Sequence, residues 1–243
     1  MLRRNPDYVR YYNSLKYNGL ETVTSSNMSI RINSSRRFPT ANKFGLVAPA
    51  DPLQFADEVP VLWHPDVFDS VVRFYVIDPE TLDKTQKPIQ LSKFPGQKLH
   101  FLDANGTYHI RIMGKRYWFQ LKCDDVDYVD DEAFIGLAIN DLTKPDKRLK
   151  TFKEMGEIYN GSLALDSRLH TPAKLEYHQR STLVYDIRES GGTLLDAVEA
   201  LKAAKLLVEN PDKYTDFKDV AQNAYRAGKA YIYGDYLKIL NRR

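Results

Sequence analysis

The sequence predicts an α+β fold, with an N-terminal helix and arm, a central antiparallel β-meander and a C-terminal helical, helix-turn-helix-like domain. Three observations predict it. Between Phe44 and Leu121, β-branched and aromatic runs are separated by turn dipeptides. Beyond Leu142, apolar residues recur at intervals of three and four. At 243 residues and 43% hydrophobic, the chain is long enough to bury about 70–75% of its unfolded surface without staples. The change of period divides the chain into an α/β region, 1–141, expected to carry oligomerisation, and a helical domain, 142–243.

Asn5-Pro6 begins the first helix, with Asn as cap and Pro at the first helical position, and Tyr8, Tyr11, Tyr12 and Leu15 recur at helical spacing up to Gly19. Residues 22–40 are rich in Ser, Thr, Asn and Arg and read as a loop or arm, in which Arg31, Arg36 and Arg37 are candidates for DNA phosphate contacts. Val71–Ile77 is a strand ended by Asp78-Pro79. Leu99–Leu102, the Asn105-Gly106 turn, His109–Met113, the Gly114-Lys115 turn and Arg116–Leu121 form the meander, and Ala133–Ile139 fits one more buried strand.

Lys147–Asn160 reads as a helix with Leu149, Phe152, Met155 and Ile158 or Tyr159 on one face, stopped by Gly161. Leu175–Glu189 follows, with Leu175, Leu183 and Ile187, and ends at Gly191-Gly192. Thr193 caps a helix from Leu194 to about Leu207 through Leu194, Leu195, Val198 and Leu201. Asn210-Pro211-Asp212 breaks it, and the last helix begins near Asp216 and runs towards Leu240.

Composition excludes several classes. A single cysteine, Cys123, rules out an internal disulfide and the usual cysteine zinc sites, as in a reducing cytoplasm. The N-terminus turns polar at once and no run approaches 18 apolar residues, so the expectation is a cytoplasmic protein without a membrane partner. Net charge is +3, unevenly spread. Residues 1–50 hold eight Lys/Arg against two Asp/Glu, residues 201–243 nine against five, and the middle is acidic. Basic ends suit a polyanion.

The dense carboxylates Asp124, Asp125, Asp127, Asp130, Asp131 and Glu132 lack the glycine and distal Glu of a calcium loop and read as a solvated acidic loop. His64, His100, His109, His170 and His178 show no metal-ligand spacing. His100 and His109 flank the Asn105-Gly106 turn and are expected to face each other across strands. No P-loop, dinucleotide loop or nucleophile elbow is present, so neither a catalytic role nor a cofactor or metal is expected.

On the last helix, Phe217, Val220, Ala224, Gly228 and Tyr231 fall on one side, while Lys218, Gln222, Arg226 and Lys229 share an arc of about 80° opposite, with Asn223 beside it. Lys and Arg suit phosphates, and Gln and Asn suit adenine edges. Lys218, Arg226, Lys229, Arg242 and Arg243 are therefore the expected phosphate contacts, with Gln222 and Asn223 the expected base readers. Any surface helix needs a polar face, so the pattern alone leaves a plain solvated helix open. An oligomeric protein-interaction or ligand-sensing module stays open too, as does an RNA-binding protein that stacks bases on some of its 16 tyrosines.

Several segments resemble a proteobacterial regulator family whose C-terminal domain is of the type VI secretion transcription-factor DNA-binding type. They are Leu2-Arg3-Arg4-Asn5-Pro6-Asp7-Tyr8, Phe44-Gly45-Leu46 with Asp51-Pro52, Val61–Val67, Phe101–Gly106, Gly191–Leu201 and Gly234–Leu240. The resemblance implies binding to double-stranded promoter DNA, activation of type VI secretion genes and self-association into a ring-like or hexameric homo-oligomer. RNA polymerase or another regulator would be a further partner. The chain departs from that family in a last helix poorer in arginine and in Gly234-Asp235 where the family has a glycine pair.

Overall fold

The computed structural model describes residues 2–15, 19–25, 29–54, 61–68, 71–82, 88–114, 117–124, 126–138, 145–161, 172–207 and 216–240. Its architecture is α+β, as the periodicities predict. The chain divides into two compact units, one formed by residues 6–167 with 240–243 and the other by residues 1–5 with 168–239. The boundary expected at 141/142 is therefore displaced, for reasons visible in each unit.

In the sheet unit, α1 (Pro6–Asn13) leads into β1 (Leu20–Ser25), β2 (Ser29–Ser34) and α2 (Pro39–Lys43). Then come β3 (Val71–Ile77), the short β4 (Ile89–Gln90), β5 (Gln97–Leu102), β6 (Tyr108–Met113), β7 (Trp118–Cys123), β8 (Phe134–Ala138) and α3 (Pro145–Tyr159). The eight strands run β1-β2-β5-β6-β7-β3-β8-β4. β5, β6 and β7 form the expected antiparallel meander. The sheet as a whole is mixed, because β2 joins β5 and β3 joins β7 in parallel. Sequence neighbours predict hairpins well, but parallel pairs need long connections that carry no local signal.

The segment expected as a loose arm is instead the antiparallel β1–β2 hairpin, followed by α2. Its alternation places Arg31 over the sheet, where Nη1 donates to the Tyr108 hydroxyl at 2.7 Å and the guanidinium lies 4.2 Å from the Tyr128 ring centroid. Arg31 is thus spent inside the fold, whereas Arg36 and Arg37 stay exposed in the turn after β2.

One face of the sheet carries the core: Phe74, Leu91, Phe94, Ile110, Ile112, Leu121 and Ile135, closed by Met155 and Ile158 of α3. This packing makes α3 part of the sheet unit. Leu149, expected on the buried face of α3, is 56% exposed, because that helix begins before it reaches the sheet's apolar surface. On the other face, Gln120 bonds both ways to the backbone of Trp63, each at 2.9 Å, and Phe68 stacks on Trp118. Arg111 lies over Trp118 and donates to the Val61 carbonyl; burial lowers its pKa to about 10.

His100 and His109 do not face each other. His100 is opposite Ile110 and His109 opposite Phe101, so the two rings project from opposite faces. His100 contacts the Asp131 carboxylate at 2.7 Å and the Tyr108 hydroxyl at 3.2 Å, while Asp103 lies 3.6 Å from His109. The acidic loop is not simply solvated. Asp124 pairs with Arg73 and Lys122, Asp131 with His100, and Glu132 accepts from Gln90 and Ser92. Asp125 and His170 lie outside the described residues. Cys123 is buried and donates weakly to the Asp124 carbonyl.

Candidate nucleic-acid interface

The helical unit is built from α4 (Pro172–Glu189), α5 (Leu194–Ala203) and α6 (Phe217–Ala230), followed by a wide turn at Tyr231–Asp235 and α7 (Tyr236–Leu240). α5 starts from the expected cap, Thr193, and α6 starts at Asp216, where the last helix is expected to begin, with Asp216 itself as the cap. The Thr193 hydroxyl accepts from the Asp196 amide while the Asp196 carboxylate accepts from the Thr193 amide, and Asp216 accepts from the Lys218 amide at 2.8 Å. α5 ends at Ala203, earlier than its apolar pattern suggests, and Leu195 is exposed while Ala197, Val198 and Leu201 are buried. The last helix is not continuous to Leu240. Gly234, at φ +143, bends the chain between α6 and α7, a conformation open to glycine.

The three helices close over Val184, Ala197, Val198, Leu201, Ala221 and Ala224. The inner stripe of α6 is Ala221, Ala224 and Gly228; Ala224 and Gly228 are on the side that spacing selects, Ala221 extends it, and Phe217, Val220 and Tyr231 of that side are half-buried. Small residues bring α6 close to α4. At Gly228 a Cβ would lie 2.3 Å from the Ser181 carbonyl oxygen, so glycine is required by the approach of the two backbones. Tyr185 of α4 stacks on Tyr225 of α6, and burial, with Glu189 nearby, pushes its pKa up to about 12. The Tyr225 hydroxyl donates to Glu189, while Arg188 donates to the Gly192 carbonyl. These contacts fix α6 about its own axis.

With that orientation set, Lys218, Asn223, Arg226 and Lys229 are exposed and Gln222 is half-buried, all on the outward side. Among the described residues, Lys218, Arg226 and Lys229 enter no ion pair, although Arg4, Lys153 and Lys238 do. Asp219 is exposed on the rim of the same face. Lys202 of α5, whose ammonium stands 4.9 Å from the Phe217 ring centroid, adds positive charge at the start of α6. Sequence reasoning missed Lys202 because helical spacing does not say which turn of α5 meets α6. Arg242 and Arg243 lie outside the described residues.

The first residues of the chain also belong to this unit. Arg4 donates from Nε and Nη2 to both carboxylate oxygens of Asp186, each at 2.6 Å, and the Asn5 amide donates to the Ile232 carbonyl at 2.8 Å. The Asp186 carboxylate raises the Arg4 pKa against the opposing effect of burial. Tyr8, three residues on, is fully buried in the sheet unit, where its hydroxyl donates to the Ala50 carbonyl and accepts from the Ala50 amide. The Leu2–Tyr8 motif that carries much of the family resemblance is therefore accounted for by structural bonds at Arg4, Asn5 and Tyr8.

No helix among the described residues is long and apolar enough to cross a membrane, and no group of three or more His, Cys, Asp or Glu among them converges on a metal position. No family model and no curated protein sequence matches the chain.

Proposed function

We propose that this chain is a DNA-binding transcriptional regulator that places the outward face of α6 on duplex promoter DNA. The observation that carries the reading is that face: Lys218, Arg226 and Lys229 enter no ion pair among the described residues, with the amides of Gln222 and Asn223 beside them and Asp219 as the carboxylate on the same side. An ammonium or guanidinium that is not satisfied within the protein is available to a phosphate, and the amides suit base edges. Among the described residues, α4 and α5 cover the inner stripe of α6 at Ala221, Ala224 and Gly228, which turns the cationic side outward. The short-motif resemblance supports type VI secretion genes as the target and activation as the outcome. Few cations on one helix give a weak contact, so binding as a homo-oligomer supplies the missing affinity by bringing several copies onto one promoter.

The salt dependence of duplex binding tests the reading. Arg226→Ala and Lys229→Ala should each weaken binding on every sequence and lower the slope of log K against log salt by about 1. An unchanged slope in both variants removes α6 from the interface. Tighter binding to single-stranded RNA than to duplex in the same assay would favour a base-stacking role for the tyrosines.

A further inference from the structure

The sheet unit contains a cavity of about 640 Å³ between α3 and the β4/β8 edge of the sheet, a volume within the range of small-molecule sites. Its floor is Phe94 and Met155, 1% and 2% exposed, and its walls include Phe134, Leu137 and Phe152. The wall is held in place by Tyr159, whose ring packs edge-to-face on Phe94 at 5.1 Å and whose hydroxyl accepts from the Gln90 amide. Among the described residues no carboxylate lines the cavity. Among the described residues its one charged lining group is Lys93, exposed at the rim and engaged there in no ion pair or hydrogen bond.

A second observation points to the cavity as built space. Gly156 lies in the interior of α3, where glycine is unfavourable relative to alanine. Its φ is not positive, and a Cβ there would meet nothing within 4 Å. Neither the backbone nor the packing of this chain requires glycine at 156; what its absent side chain leaves is room in the cavity wall.

We infer that this cavity binds a small amphipathic anion, with an apolar body among the aromatic walls and an anionic head at Lys93. The apolar lining supplies affinity by removing the body from water, and the ammonium selects the sign of the head. The inference goes beyond the DNA-binding reading and does not rest on it, since ligand binding to the full chain is measured without DNA.

Calorimetric titration of the full chain with decanoate, below its micelle concentration, tests the inference, with decyltrimethylammonium as the same tail bearing the opposite head. Saturable binding of one decanoate per chain is expected, with the cation binding at least about tenfold more weakly. Gly156→Leu fills the wall and should cost at least about tenfold in decanoate affinity, while its better helix propensity holds or raises the thermal midpoint. Lys93→Gln should cost about three- to tenfold for decanoate and hold or tighten the cation, narrowing the gap between the two head groups. Absence of saturable binding, equal affinity in Gly156→Leu, or equal affinity for the two head groups would overturn the proposal.

Discussion

The two units solve the burial problem differently. The sheet unit packs large side chains: Phe94, Ile110, Ile112, Leu121 and Ile135 are all at most 1% exposed and meet over one face. The helical unit has few large residues at its centre and relies on Ala197, Ala221, Ala224 and Gly228 to let backbones approach. A core of large groups is sensitive to deletion, since each removed methylene leaves a void. A core of small groups at close approach is sensitive to addition, since the nearest neighbour is backbone that cannot turn aside. The same close approach fixes which side of α6 faces outward, so in this unit packing and the candidate function are one feature.

The largest effect that tests this contrast is Ile110→Ala. Ile110 is fully buried at the centre of the sheet core, and the substitution should destabilise the sheet unit by about 2–5 kcal/mol. Gly228→Ala should destabilise the helical unit by about 1–3 kcal/mol, although alanine is the better helix former, because the new methyl meets the Ser181 carbonyl. Both tryptophans, Trp63 and Trp118, belong to the sheet unit, so their fluorescence reports its unfolding. In urea, Ile110→Ala should move the fluorescence transition, and Gly228→Ala should move the helical circular dichroism at 222 nm while leaving fluorescence in place. Coincident shifts in both variants would show a single cooperative unit and end the comparison.

A smaller effect distinguishes the units by pH. The Asp131 carboxylate is held below its ordinary range by the hydrogen bond from His100, against the cost of burial, with Lys98 and Ser29 adding to the effect. Arg31 and Tyr108 complete the surrounding polar groups. A depressed carboxylate contributes stability that is fully present above its unfolded pKa of about 3.9 and is lost as pH falls through the lower folded value. Wild type should therefore lose its advantage over Asp131→Asn as pH falls below about 4, read from the urea midpoint of tryptophan fluorescence. A pH-independent gap between the two would show that the carboxylate is not held by charge.

How much of this was legible in sequence follows from the range of each interaction. Val71–Ile77, the Asn105-Gly106 hairpin and the caps at Thr193 and Asp216 depend on residues a few positions apart, and they form where local chemistry puts them. The β1–β2 hairpin was hidden because its polar, Arg-bearing strands lie at the sheet edge, where alternation is not forced by burial on both faces. The join of α3 to the sheet, the bond from Arg4 to Asp186 and the role of Lys202 depend on partners distant in sequence, which periodicity does not identify. The cationic side of α6 was legible as a pattern; its outward direction required Ala221, Ala224 and Gly228 to be seen against α4.

The finest test of the helical unit's role is Asp219→Asn. Asp219 is exposed, one residue after Lys218, at about 20° from Arg226 around the axis of α6. It lies in the first turn, where a negative charge favours the helix by a few tenths of a kcal/mol, so neutralising it should lower stability slightly. If the face lies against phosphates, the same change removes a repulsion and should tighten duplex binding by about two- to fivefold at low salt, fading as ionic strength rises. A variant that is no more stable yet binds more tightly separates the interface from the fold, because improved folding cannot explain it. Equal affinity of Asp219→Asn and wild type at low salt would place the phosphates away from this side of α6, even if Arg226→Ala had weakened binding.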